Sequence, residues 1–61
     1  MDAEKMDEIV NNRINGNISD FNIAISKLSK LELLDIIEHM RGYHGIPIHT
    51  VIAYLRTALS N

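Results

Sequence analysis

Apolar side chains recur three and four residues apart in four short stretches of this chain, and none keeps the strict alternation of a half-buried strand. That spacing describes short amphipathic helices. Helices below about 12–15 residues are marginal alone in water, so each must gain its stability by laying an apolar face against a neighbour. The sequence therefore predicts an all-α fold: a compact bundle of about four short helices, in one domain spanning residues 1–61.

The punctuation between the stretches sets the expected boundaries. Met6, Ile9, Val10 and Ile14 share a face of a first helix from about Asp2 to Asn15. Asp2, Glu4, Asp7 and Glu8 crowd its opening turns, where carboxylates favour the positive end of the backbone dipole, and Asn15-Gly16-Asn17 stops it. Ser19 is the expected cap of a second helix lined by Ile18, Phe21, Ile25 and Leu28. The most specific local signal is Ser29-Lys30-Leu31-Glu32, a capping box flanked by Leu28 and Leu33 as its hydrophobic staple. It opens a third helix expected to run to about Arg41 and to stop at Gly42. Leu33, Leu34, Ile36, Ile37 and Met40 give this helix a broad apolar surface, which predicts a central position. Gly42 and Gly45 bracket a turn, and Pro47 suits the first position of a fourth helix carrying Ile48, Val51, Ile52, Leu55 and Leu59 on its inner face.

A chain of 61 residues has little area over which to build a core, and with no cysteine it has neither disulfides nor thiolate metal ligands to supplement it. Association with another chain is the remaining common supplement. Ile23, Leu31, Ile36 and Ile46 fall outside the main helix faces and are the expected apolar interface. Tyr43, Tyr54, Arg41 and Arg56 are its expected polar anchors, since Tyr and Arg give large contact area at interfaces. The leading expectation is a small protein-interaction module. It would be a homo-oligomer acting as an accessory or inhibitory binding protein, of the kind common in phages and mobile elements, with a larger protein target as a further partner.

Six basic against eight acidic side chains give a formal net charge of -2, which argues against strong attraction to polyanions. The opening Met1-Asp2-Ala3-Glu4-Lys5 lacks the basic-then-apolar order of a secretory leader, and no apolar run approaches the ~20 residues that span a bilayer. A cytoplasmic protein without a membrane partner is expected.

One stretch bears a likeness to a known family. Gly45-Ile46-Pro47-Ile48-His49-Thr50-Val51 resembles the turn and recognition-helix start of helix-turn-helix regulators, where a Gly, an apolar residue and a later Thr-Val pair recur. The resemblance covers about a fifth of the chain and implies DNA binding by the last helix. The chain departs from the pattern where Gly42 interrupts the helix before the turn and Arg41 replaces a small residue. A recognition helix also needs donors and cations, and this one offers His49, Thr50, Tyr54 and Arg56. A further alternative is a phosphate or nucleotide site built from Arg41, His44, His49, Thr50 and Arg56 around the start of the last helix.

His39, His44 and His49 recur at intervals of five, whereas histidines that share a metal on one helix stand three or four apart. Five residues of α-helix turn the second ring about 140° from the first, so no metal and no other cofactor is expected. Ser60, His49 and Asp35 are residue types of a hydrolytic triad, but no motif places them together, and the chain is expected not to be an enzyme.

Overall fold

A computed structural model describes residues 1–60. Four α-helices follow one another: α1 (Ala3–Ile14), α2 (Ile18–Ser26), α3 (Lys30–Glu38) and α4 (Ile48–Leu59), with a π-helical turn at His39–Tyr43 between the last two. The described residues include no strand, and no helix among them is long and apolar enough to cross a membrane. The radius of gyration is 10.2 Å, about that of a folded chain of this length, so the short helices close on one another.

Local chemistry sets most of the ends. Asp2 caps α1 by accepting from the Lys5 amide at 2.8 Å, and Gly16, at φ +86°, supplies the left-handed residue that follows it. The capping box at α3 forms in both directions: Ser29 Oγ accepts from the Glu32 amide at 3.2 Å, and Glu32 accepts from the Ser29 amide at 2.9 Å. Ser29, through its backbone amide first and its hydroxyl second, holds the Glu32 carboxyl below its ordinary range. Three boundaries differ from expectation. Asn17, not Ser19, stands at the cap of α2, so Ile18 opens the helix and remains exposed. Pro47 is the cap of α4 rather than its first residue, its carbonyl accepting from the Thr50 and Val51 amides. Gly42 does not stop α3, because the chain continues through it in the π turn; the left-handed glycine is Gly45, at φ +67°.

The core is Ile9 and Val10 of α1, Phe21 and Ile25 of α2, Ile36 of α3, Met40 of the π turn, and Val51, Leu55 and Ala58 of α4. Phe21 lies fully buried where α1, α2 and α4 meet, and Tyr54 sets its ring edge-on to Phe21 at 6.2 Å. The Arg13 guanidinium covers the same tyrosine at 4.2 Å, so a cation–π contact ties α1 to α4. Tyr54, expected at an interface, is thus half-buried and engaged within the fold. Ile36 corrects a second expectation. It is fully buried, because four-residue spacing puts it on the same face as Met40, and it cannot serve as interface surface. Ile46 is likewise half-buried and packs on the core. Leu31 and Ile23 do remain in water, Leu31 at 75% exposure.

Removing side-chain atoms from Ile36 and from Leu31 should therefore have opposite consequences. Ile36→Ala is expected to lose about 2–5 kcal/mol, most of the stability of so small a domain, whereas Leu31→Ala stays within about 0.5 kcal/mol of the parent. Ser29→Ala is expected to fall between, at about 1 kcal/mol. Urea denaturation followed by circular dichroism ranks the three.

Candidate functional site

The densest polar constellation lies where the π turn meets α1. An α-helical step would send His39 and His44 to different sides, but the wider turn closes with a bond from the His44 amide to the His39 carbonyl, five residues back, at 3.2 Å. Residues five apart then stand above one another. Both imidazoles consequently point at α1, where Asp7 occupies the second turn of the helix.

His39 Nε2 lies 2.6 Å from Asp7 Oδ1, and His44 Nε2 lies 3.0 Å from the same oxygen. A carboxylate only accepts hydrogen bonds, so both rings donate through Nε2. The His39 and His44 side chains are 9% and 16% exposed and that of Asp7 is 36%, which leaves the acid as the group that meets solvent. The bond from His39 is the strongest influence holding the Asp7 carboxyl below its ordinary 3.8; the bond from His44 acts in the same direction, and partial burial works against both. Tyr43 stacks on His39 with ring centroids 4.9 Å apart and planes 9° from parallel, while His44 meets both rings edge-on. The cluster is therefore held from two sides: by hydrogen bonds to α1 and by aromatic packing within the turn.

The sequence expectation that the five-residue interval separates these histidines is overturned by that geometry. His49, the third, is exposed on α4 and belongs to another surface. Asp7 was legible only as one of several carboxylates at a helix start. Its useful signal was its place between Met6 and the buried pair Ile9 and Val10, which turns it toward the packed side of α1.

The other expected site residues are distributed rather than assembled. Arg41 borders a shallow hollow with Ile37, Glu38, Gly42 and Ile48, whereas His44 is committed to Asp7 and Thr50 is half-buried. Arg56 is exposed as the one Lys or Arg of α4. The turn at Gly45–Pro47 does precede a helix, as the helix-turn-helix likeness implies, but the element before it ends in a π turn and not in a helix leading into that turn. Ile23 lines a hollow of about 370 Å³ between α1 and α2, whose rim sets Lys5 and Lys27 against Glu8, Asp20 and Glu32 and so carries no single sign of charge. Tyr43 presents 73% of its surface to solvent while stacking on His39.

On α4, the residues expected to face inward divide into two rows. Val51 and Leu55 join Ala58 in the core, whereas Ile48, Ile52 and Leu59 are between 41% and 49% exposed. Their spacing of four and seven places these three within about 40° of one another around the axis, so they form one apolar row beside the buried one.

No protein-family model, curated protein or solved structure matches the chain.

The lowered Asp7 carboxyl fixes the sign of a pH effect. The folded state releases this proton more readily than the unfolded chain, so its contribution is complete above the unfolded value near 3.8 and is lost as pH falls through the folded one. Asp7→Asn is expected to be less stable than the parent at neutral pH, with the difference shrinking in increasingly acid solution. Urea midpoints measured across that range give the comparison.

Proposed function

We propose that this chain is a protein-binding module that acts by pairing with a second copy of itself through the exposed row of α4. The observation that carries the reading is Ile48, Ile52 and Leu59, exposed apolar side chains along one edge of a helix whose neighbouring row already forms the core. The core holds nine residues, and nine large apolar side chains remain exposed among the described residues. Apolar area left in water forfeits about 25 cal/mol per Å², a serious loss for a domain whose whole stability is a few kcal/mol.

A second copy is taken as the occupant because two identical rows can cover each other. The row runs the length of α4, so two antiparallel copies bring Ile48 of one to Leu59 of the other and repeat the contact across a two-fold axis. No acidic residue lies on α4, and its one strong cation, Arg56, stands beside the row rather than within it. Hence no charged side chain lies within the row itself. Ile37, Glu38 and Arg41, which share a hollow with Ile48, border the row at one end. Larger protein targets would be met by what the pair leaves open, with Leu31 and Tyr43 as the most exposed large apolar side chains among the described residues. A cytoplasmic setting is part of the same proposal.

Light scattering over a concentration series is expected to give twice the mass of one chain, with dissociation on dilution. Ile52→Glu is expected to shift the equilibrium to single chains while the helical circular dichroism signal is kept. A parent protein that stays single at millimolar concentration overturns the proposal, as does a pair that Ile52→Glu leaves intact.

A further inference from the structure

We propose that Asp7, His39 and His44 form a binding site for a divalent transition metal of the zinc type, which clips the π turn to α1. The inference is independent of self-association and rests on different residues. One oxygen and two ring nitrogens from these side chains all lie within 4.8 Å of one another. Two imidazoles and one carboxylate are donors that zinc accepts, and three protein ligands leave a fourth tetrahedral position for water.

The distances leave a small adjustment. Zinc bonds of about 2.0–2.2 Å set neighbouring tetrahedral donors about 3.4 Å apart. The two imidazole–carboxylate separations of 2.6 and 3.0 Å would have to open by about 0.4–0.8 Å, and the imidazole–imidazole separation, which lies within 4.8 Å, would have to settle at the same spacing, by side-chain rotation. Both rings already aim Nε2 at the carboxylate. For a neutral ring, binding moves the proton from Nε2 to Nδ1 through solvent and frees the Nε2 lone pair; an imidazolium releases one proton instead. The hydrogen bonds to Asp7 hold the rings in place beforehand, and Tyr43 stacked on His39 restrains that ring further, so little ordering is left for the metal to impose.

The π turn is the feature that makes such a site available. It brings a five-residue histidine pair to one side and sets both rings against a carboxylate 32 and 37 residues earlier in the chain. A clip between positions so distant in sequence would close a long loop, the arrangement in which a cross-link restrains the unfolded chain most.

Zinc chloride titrated into the full chain, first stripped of metal with a chelator, tests the proposal. Calorimetry is expected to show one ion per chain, and zinc at about a hundredfold excess over Kd should raise Tm by about 10 °C or more. His39→Gln and His44→Gln are expected to abolish binding and Asp7→Asn to weaken it at least about tenfold, whereas His49→Gln leaves it unchanged. The ring signals of His39 and His44 in the nuclear magnetic resonance spectrum of the parent should move together while those of His49 stay fixed, a readout that does not require any variant to fold. No heat and no movement of those signals overturns the site. Binding that survives both glutamine variants, or one ion per two chains, likewise contradicts the three-donor set.

Discussion

The carboxylate of Asp7 receives two imidazole donors from a single wide turn, and the placement of α3 and α4 depends on where that turn is fastened. The backbone of α3 runs directly into that turn. The Met40 side chain is fully buried in the core, and His39 and His44 on either side of it anchor the turn to α1. Gly45 then reverses the chain, the Ile46 amide returns to the Met40 carbonyl at 3.0 Å, and α4 begins at Pro47. A regular α-helical turn would seat Met40 but would swing one histidine away, leaving the junction with half of its polar contacts.

Around that junction the apolar interior is small. Phe21 fills the space between α1, α2 and α4, and the Arg13–Tyr54–Phe21 stack adds a polar-capped extension to the same core. A domain of this size has a narrow margin, in which single contacts of one or two kcal/mol matter. Burial of the α4 row by a second copy and coordination at the histidine pair would each widen that margin, through unrelated chemistry and at separate surfaces.

The parts of the fold that were legible in the sequence are those decided within a few residues. The capping box at Ser29 and Glu32 and the left-handed Gly16 depend on local hydrogen bonds and backbone sterics, and the helical period follows from spacing alone. What spacing does not decide is which edge of a broad apolar stripe turns inward. On α4 the ring of Tyr54 against Phe21 and the small Ala58 rotate the helix so that Ile48, Ile52 and Leu59 stay outside. On α3 the position of Met40 draws Ile36 into the core, where it was expected at a surface. The candidate site was hidden for a related reason. Its members are 32 and 37 residues apart, and the five-residue histidine interval acquires meaning only in a π turn, a conformation the sequence pattern did not announce.

Nuclear magnetic resonance of the two imidazoles in the metal-free protein at neutral pH examines the junction most directly. Both rings should carry a hydrogen on Nε2, slowly exchanging, with through-space contacts from each ring to the methylene protons of Asp7. Freely rotating rings with rapidly exchanging hydrogens and no contact to Asp7 would contradict the account, because the wide turn would then have no hold on α1.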